Sequence, residues 1–478
     1  MFPSIAWNLC SLECLIAASL IGLIIADIVM PPKIKSDWMG ASSLIAAAGL
    51  LCFWLTQQGI SGATFGGMFI LDPMAWFFKA FFLTTMIFVF IMTHQFFKTL
   101  PQPKNELYLL LWLALLGMCL VASSADFILL FISLEMLTLS LYVMTAYLKS
   151  DRHSLEAGMK YLILGALSSG FFLYGISFLY GVTHSTGFEA IQRYAILHSM
   201  TPMVTLALVF IFAAIGFKIA SVPFHLWVPD VYQGAPTPVT ALLSVGSKAA
   251  GFVILMRLFL GVFSSWHVEW STLLAALAAI TMCYGNLGAM FQTNIKRLLG
   301  YSSIGHAGYL LMGAAAGGSL GASAINFYLL GYLFTNLAAF LGIILFSVAT
   351  KSDELEDYAG LAHRSGLLAG VFLLALVSLA GVPPLVGFFG KFVLLMATVK
   401  SGMMWLALVA VVNIVISLYY YLMIVKRIYV DAPRVKTPIV ISARMQIVLL
   451  LAMAGIIGIG IFQGPFMEAS LTASKGLF

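Results

Sequence analysis

The sequence predicts an all-α polytopic membrane protein with about 14 transmembrane helices. Hydrophobic residues make up 62% and charged residues 9% of the 478 residues, whereas soluble proteins have roughly 25% charged residues. A chain this apolar cannot cover itself with polar surface. Its apolar runs are about 20 residues long and do not alternate with polar residues, so they predict membrane-spanning helices and not the strands of a barrel.

These apolar runs define the predicted elements, each long enough to cross a bilayer. Their approximate spans are 9–29, 39–58, 73–94, 106–123, 126–147, 155–181, 202–227, 238–263, 270–291, 297–317, 320–349, 366–400, 403–426 and 443–465.

Basic residues are concentrated on one side of this predicted topology. One set of connections carries fifteen Lys and Arg residues and the other carries three. Because positively charged loops stay in the cytoplasm, the bias predicts that both termini lie outside the cytoplasm. The net charge of +6 therefore reflects topology, and we expect a lipid bilayer and no nucleic acid as partner. The fifteen are Lys33, Lys35, Lys98, Lys104, Lys149, Arg152, Lys296, Arg297, Lys351, Arg364, Lys426, Arg427, Arg434, Lys436 and Arg444; the three are Arg193, Lys400 and Lys475.

Motifs for cofactors are absent from the sequence. The five cysteines (Cys10, Cys14, Cys52, Cys119 and Cys283) lie in or beside apolar runs, without the spacing of zinc, haem or iron–sulfur ligands. There is no phosphate-binding glycine loop followed by Lys-Ser, and no dinucleotide fingerprint. We therefore expect no cofactor, no metal and no soluble small-molecule substrate in this chain.

Four ionisable residues lie near the centres of predicted spans: Glu135, Lys218, Lys248 and Lys391. Each costs about 2.5–3.5 kcal/mol at a helix centre on insertion scales, so stability does not explain why several are present. Ionisable groups at this depth typically line ion paths. We predict that these four residues transfer protons.

Other ionisable residues lie closer to the ends of their runs. Lys160 occupies the first turns of its helix and is a further candidate for proton transfer. Lys79 and Glu13 are near run ends, so we expect their side chains to reach the membrane interface. For Arg257, toward the end of its run, a structural and a functional role are equally expected.

Two histidines extend the candidate set. His225 follows Lys218 by two turns, and His306 lies early in "YSSIGHAGYLLM". A lone histidine is more often a satisfied core residue than a proton carrier. Here the nearby lysines and hydroxyl groups favour a hydrated path, because imidazole can pass a proton through either ring nitrogen.

Two proline-containing segments interrupt long apolar runs. "IASVPF" at 219–224 resembles "LAGVPP" at 379–384, an offset of 160 residues, and Lys218 and Lys391 lie near the two breaks. Paired interrupted helices in two halves indicate a transport site. We predict N-terminal helices 1–3 (1–105), two five-helix repeats (106–265 and 266–430) and a C-terminal helix (431–478). Because five is odd, the repeats are expected to be inverted.

The prolines suggest how a buried lysine can be solvated. An interrupted helix lets water and neighbouring groups reach it. At an effective dielectric constant of about 20, an opposite charge stabilises the ammonium by roughly 4 kcal/mol at 4 Å but by under 2 kcal/mol at 10 Å. We hypothesise that Glu135, Lys218, Lys248 and Lys391 are serial proton carriers whose proton affinities are switched electrostatically.

Two segments carry a resemblance to a known family. "VPFHLWVPDVYQGAPTPVTALLSVGSKAAGF" and "QTNIKRLLGYSSIGHAGYLL" closely resemble the antiporter-like subunits of respiratory complex I, and "VPDVYQGAPTPV" is most similar to their subunit N group. The resemblance covers nearly the whole chain. It implies two inverted five-helix repeats, each with a discontinuous helix.

The resemblance also implies roles and partners. A helix-5 glutamate paired with a helix-7 lysine, a central helix-8 lysine and a helix-12 lysine match Glu135, Lys218, Lys248 and Lys391, and Lys160 matches a helix-6 lysine. The implied partners are the antiporter-like subunit M and the small subunits K and J of NADH–quinone oxidoreductase. FMN, iron–sulfur clusters and quinone are expected in partner subunits. The implied activity is proton translocation driven by redox chemistry elsewhere, with no redox site in this chain.

Three other interpretations fit parts of the sequence. A multisubunit sodium/proton antiporter or a membrane-bound hydrogenase uses similar subunits with similar lysines. An independent secondary transporter would also have broken helices and inverted repeats, and would show a solute-sized polar pocket. A structural subunit would need the four charged residues for assembly only.

Overall fold

The computed structural model describes residues 6–98 and 105–477. Lys104 and the side chain of Lys33, two of the basic residues used to predict topology, lie outside the described residues.

The described chain is almost entirely helical, with one short antiparallel hairpin. The helices are α1 (Ser11–Val29), α2 (Pro32–Thr56), α3 (Pro73–Phe97), α4 (Asn105–Ser123), α5 (Phe127–Thr145), α6 (Arg152–Thr183), α7 (Phe188–Leu197), α8 (Pro202–Ile219), α9 (Val228–Gly234), α10 (Thr237–Leu242), α11 (Lys248–Leu255), α12 (His267–Ala289), α13 (Ile295–Ala316), α14 (Gly318–Thr350), α15 (Leu361–Arg364), α16 (Gly366–Ala380), α17 (Val386–Lys400), α18 (Met404–Tyr429), α19 (Ala443–Ile461) and α20 (Gln463–Ser474). The hairpin pairs β1 (Gly62–Thr64) with β2 (Phe69–Leu71).

The predicted all-α polytopic membrane fold is confirmed. Among the described residues, 12 helical segments are long and apolar enough to cross a membrane. The two remaining predicted spans are also helical. The run 297–317 forms α13, and the run 366–400 is divided into α16 and α17.

The sequence analysis did not predict the hairpin, α7 or α20. Each strand of the hairpin has 3 residues, and α7 has 10. Elements this short fall below the window of about 20 residues that detects membrane spans.

Within the described residues the chain forms two compact units. The first unit is drawn from Met1–Ile219, Gly234–Trp270 and Thr472–Phe478, and the second from Ala220–Gln233 and Ser271–Leu471. The chain passes from the first unit to the second where α8 ends.

The core of the first unit is a single buried span, Thr237–Val262. It consists of α10 and α11 with π-helical turns at Leu243–Ser247 and Met256–Val262. It packs against α3, α4 and α8. Close approach is possible because Gly246 and Gly251 lack a Cβ, which would lie 3.0 Å from the sulfur of Met118 on α4 and 2.7 Å from Ile219 on α8, respectively. Such π-helical turns occur frequently at functional sites.

A buried ion pair in the first unit corrects one expectation. Lys79 and Glu13 do not reach the interface, because Lys79 Nζ lies 2.6 Å from Glu13 Oε1 and the side chains are 0% and 6% exposed. The ammonium also lies 5.0 Å from the ring centroid of Trp54 and 4.9 Å from that of Phe69. Pairing across α1 and α3 replaces the solvation that snorkelling would have supplied.

Arg257 also makes contacts that hold elements of the first unit together. Its Nη1 and Nη2 donate to Asp72 at 2.9 and 3.0 Å, in the two-pronged geometry that guanidinium favours. Its Nε donates to the carbonyl oxygen of Ala122 at 2.9 Å. The contacts join the second π-helical turn to the residue that caps α3 and to the end of α4.

The second unit is organised around α14, which packs against α13, α16, α17 and α19. Asn294 caps α13 by accepting hydrogen bonds from the backbone of Lys296 and Arg297. Arg297 then forms an ion pair with Asp230, with 2.6 Å between Nη1 and Oδ1. This pair joins the two sequence segments on which the family resemblance was based.

Candidate functional site

The two helix breaks correspond at an offset of 161 residues, not 160. α8 ends at Ile219 and α16 ends at Ala380, and the next residue has positive φ in both cases, 66° at Ala220 and 89° at Gly381. The sequence similarity aligned Val222 with Val382 and was therefore one residue out of register. The sequence alignment followed similar side chains, whereas the correspondence of the two breaks is defined by the residue at which each helix ends.

Lys391 is bound by the end of the broken helix. Its ammonium donates hydrogen bonds to the carbonyl oxygens of Leu379 at 2.8 Å and Ala380 at 3.0 Å. In a continuous helix these carbonyls would accept from the amides four residues later, which are Pro383 and Pro384 and have no N–H. The prolines therefore leave two carbonyls without backbone hydrogen-bond donors, and the ammonium of Lys391 donates the hydrogen bonds instead. The C-terminal end of α16 also carries partial negative charge, which favours a cation there.

The surroundings of Lys391 are polar but neutral. Lys391 is 3% exposed, and among the described residues it forms no ion pair with a carboxylate. Its ammonium lies 5.0 Å from the ring centroid of Tyr309. Beside it is a cavity of about 10 Å³ that is also lined by His306, Tyr328 and Ser378. This volume is close to the minimum that holds one water molecule.

His306 is hydrogen-bonded at both ring nitrogens. Nδ1 bonds with the hydroxyl of Tyr328, and Nε2 lies 3.2 Å from the hydroxyl of Tyr421. Tyr421 bonds in turn with Ser302, one turn before His306 on α13. A histidine with a hydroxyl at each nitrogen can take a proton on one side and release one on the other. His306 and Lys391 line the same cavity.

In the first unit, the hydrogen-bond acceptor of Lys218 is a side chain and not the end of a broken helix. It is 4% exposed, and its ammonium donates to Thr138 Oγ1 at 3.3 Å. Glu135, one turn before Thr138 on α5, accepts a hydrogen bond from Ser169 of α6. Among the described residues, Glu135 and Lys218 are not in direct ion-pair contact. Each of the two charged groups is therefore hydrogen-bonded to a hydroxyl group.

Lys248 begins α11 directly after a π-helical turn and is 2% exposed. Gly251, one turn further on the same helix, is the point at which the stem of Lys218 packs. A Cβ on Gly251 would lie 3.3 Å from Cγ of Lys218. The structure thus brings the helices of Lys218 and Lys248 together within the first unit.

Lys160 and His225 have different surroundings from the four buried charged residues described above. Lys160 has a side chain that is 42% exposed, and it pairs with Glu156 one turn earlier at 2.7 Å. His225 is buried against Tyr284, with 4.2 Å between ring centroids, and neither ring nitrogen has a hydrogen-bond partner among the described residues.

The sequence analysis missed the hydroxyl and aromatic partners of the charged residues. Thr138 and Ser169 contact Lys218 and Glu135, and Tyr309, Tyr328 and Tyr421 surround Lys391 and His306. Two of them left a local signal. Thr138 lies three residues after Glu135, and Tyr309 three residues after His306, which places each pair on one helix face.

Comparison with known families supports the assignment suggested by these residues. A family model described as NADH:quinone oxidoreductase/Mrp antiporter, transmembrane, matches residues 124–417. The chain belongs to this family. All seven candidate site residues of this antiporter-like family member lie within the matched residues, whereas the Glu13–Lys79 pair lies outside them.

Within the family the predicted similarity to the subunit N group is confirmed. The chain is 40% identical over 473 residues to the NADH-quinone oxidoreductase subunit N of Heliobacterium modesticaldum, covering 99% of this chain and 100% of the relative. A chain of respiratory complex I from Thermus thermophilus with bound aureothin has a TM-score of 0.82 and 31% identity, covering 96% of this chain and 98% of that chain.

A more distant solved structure shares the fold of this chain. A chain of the Mrp complex from Dietzia sp. DQ12-45-1b is 21% identical with a TM-score of 0.85, covering 98% of this chain and 97% of that chain. In the part of the chain that the structure describes, no group of three or more His, Cys, Asp or Glu side chains could hold a metal ion.

Proposed function

We propose that this chain is a proton-translocating membrane-arm subunit of an NADH–quinone oxidoreductase. The observation that carries the proposal is how the ammonium of Lys391 is hydrogen-bonded within the protein. Two carbonyls released by Pro383 and Pro384 hold its ammonium beside a water-sized cavity that His306 also lines. Neutral acceptors stabilise the charged lysine, yet the proton can depart without leaving a buried carboxylate behind.

Glu135, Lys218, Lys248 and Lys391 are the proposed proton-transfer groups. In the first unit, the ammonium of Lys218 is hydrogen-bonded to Thr138, which lies one turn after Glu135 on α5. A change in the distance between these charges alters the stability of the ammonium by a few kcal/mol, as Coulomb's law requires at an intermediate dielectric constant. In the second unit, His306 is the proposed partner of Lys391, and Lys160 and His225 are accessory candidates.

The redox chemistry that drives translocation is assigned to partner subunits. FMN, iron–sulfur clusters and quinone are proposed to lie there, because the subunit N relatives are named as parts of NADH–quinone oxidoreductases. The antiporter-like subunit M and small subunits K and J are the proposed neighbours. We propose two inverted five-helix repeats and, from the distribution of basic residues, both termini on the periplasmic side of the bacterial inner membrane.

The test replaces Lys391 by methionine in the assembled complex. In inverted membrane vesicles supplied with NADH, K391M is expected to slow proton transfer by about 100-fold or more, the typical contribution of a positioned acid–base group. NADH oxidation and pumping are measured together, so that a loss of assembly is distinguished from a loss of translocation.

The matched control is K400M, which makes the same substitution at the exposed end of the same helix. It is expected to pump as the unaltered complex does. Normal pumping by K391M would overturn the assignment of Lys391. If the unaltered complex transported sodium ions in place of protons, the result would indicate a sodium/proton antiporter instead.

A further inference from the structure

A buried polar cluster joins Lys391 to a helix that the proposed mechanism does not use. Asn286 of α12 is 1% exposed. Its Nδ2 donates to Asn413 Oδ1 at 3.1 Å and, over a longer 3.5 Å, to the hydroxyl of Tyr309. Its Oδ1 accepts from the hydroxyl of Tyr420 at 3.1 Å. One amide therefore contacts side chains of both α13 and α18.

The packing of α12 on α13 holds Asn286 in this place. A Cβ on Gly285 would lie 2.3 Å from the backbone nitrogen of Gly305, so the two helices touch through backbone atoms. A Cβ on Gly305 would lie 3.0 Å from Asn286 Oδ1. Since no side chain separates the helices there, the amide of Asn286 lies directly against the turn of α13 that leads to Tyr309.

Tyr309 presents its ring to the ammonium of Lys391, with 5.0 Å between Nζ and the ring centroid. An aromatic face attracts a cation through its quadrupole, and the attraction is largest where water is excluded. Both Tyr309 and Lys391 are almost fully buried. Among the described residues, this ammonium contacts the two carbonyls of α16 and the ring of Tyr309.

We propose that Tyr309 is the cation-binding aromatic residue of Lys391 and that Asn286 is a positioning residue that keeps its ring in place. The inference rests on the proposed role of Lys391 in proton translocation. The ring, and not the hydroxyl, contacts the ammonium. The hydroxyl serves to attach the ring to Asn286.

Substitutions of Tyr309 separate the ring from its hydroxyl. In inverted vesicles driven by NADH, Y309L is expected to lower pumping by about tenfold, because the cation loses its aromatic face. Y309F keeps the ring and is expected to remain within about threefold of the unaltered complex, since it loses only the hydrogen bonding of the hydroxyl group. Rescue by phenylalanine distinguishes a cation contact from a packing role.

The matched control is Y358L. Tyr358 is equally buried, but its ring stacks on Phe346 and meets Phe372 edge to face, and Lys391 is not among its ring contacts in the described residues. The ratio of pumping to NADH oxidation is expected to be unchanged in Y358L. If Y309L does not assemble, Y309M is measured instead, because methionine fills irregular space without providing an aromatic face.

Asn286 is tested by N286L, with N326L as the control for removing a buried amide. Asn326 donates to the backbone of Ser470 and is not part of the cluster. N286L is expected to reduce pumping by a factor between those of Y309F and Y309L, with NADH oxidation retained. N326L is expected to leave the ratio of pumping to oxidation unchanged.

Two results would overturn the inference. One is normal pumping by Y309L in a complex where K391M does not pump; the other is an equal loss in Y309F and Y309L. Normal pumping by K391M would instead contradict the proposed function, so the two failures are distinguishable.

Discussion

Lys79 and Lys391 are both buried lysines of one membrane protein, yet they have different surroundings. Lys79 is in contact with a carboxylate, Glu13, and lies near the rings of Trp54 and Phe69. Lys391 is held by two neutral carbonyls and the ring of Tyr309. Loss of the proton from Lys79 would leave Glu13 as an uncompensated buried charge, whereas its loss from Lys391 leaves neutral groups only. Burial alone therefore does not distinguish the two lysines, and only Lys391 has the neutral surroundings expected of the proposed proton carrier.

The largest expected effect comes from breaking the Glu13–Lys79 pair. E13Q leaves an unpaired buried ammonium and is expected to lower stability by about 3–5 kcal/mol. The double variant E13L/K79M removes both charges and is expected to recover most of this loss. Thermal inactivation of the purified complex measures both. If E13Q were as stable as the unaltered complex but failed to pump, Lys79 would belong with the proton carriers.

A smaller effect is expected at Thr138. T138V keeps the shape of the side chain but removes the acceptor for the ammonium of Lys218, an interaction of about 1.5–3 kcal/mol for a charged donor. Pumping is expected to fall by about tenfold while assembly is retained. The control is T145V on the same helix, since within the described residues the hydroxyl of Thr145 donates only to the carbonyl oxygen of Leu141. Equal effects of the two variants would indicate a general disturbance of α5.

The smallest effect is expected at the half-exposed pair of Glu156 and Lys160. The side chains are 59% and 42% exposed, and exposed pairs contribute about 0.2–1 kcal/mol at most. E156Q is therefore expected to change stability by less than about 1 kcal/mol and to leave pumping intact. A large loss of pumping, measured in the same vesicles, would place Lys160 among the required proton carriers.

Much of the site followed from local sequence. The lysines and glutamate were recognisable because ionisable residues are rare in apolar runs. The interruptions were recognisable because proline has no N–H, and the same rule identifies Leu379 and Ala380 as the carbonyls left without backbone donors. The offset between the two breaks was predicted to within one residue, and the family assignment was confirmed.

The partners of the charged residues did not follow from local sequence. Glu13 and Lys79 are 66 positions apart, and Asn286 and Asn413 are 127 apart. Neither pair has a periodic or spaced signature, because its members lie on helices whose contact depends on packing. The predicted snorkelling of Lys79 was wrong for this reason.

By itself, the sequence determined that this is a membrane protein, which segments span the membrane, which two helices are interrupted and that Glu135, Lys218, Lys248 and Lys391 lie deep within spans. These properties depend on composition, helical length and the chemistry of proline, all of which act over a few turns. Only the tertiary structure decided which buried lysine faces a carboxylate and which faces carbonyls, hydroxyls and an aromatic ring. That decision depends on which helices touch, and helix contacts are made by side chains that are distant in the chain.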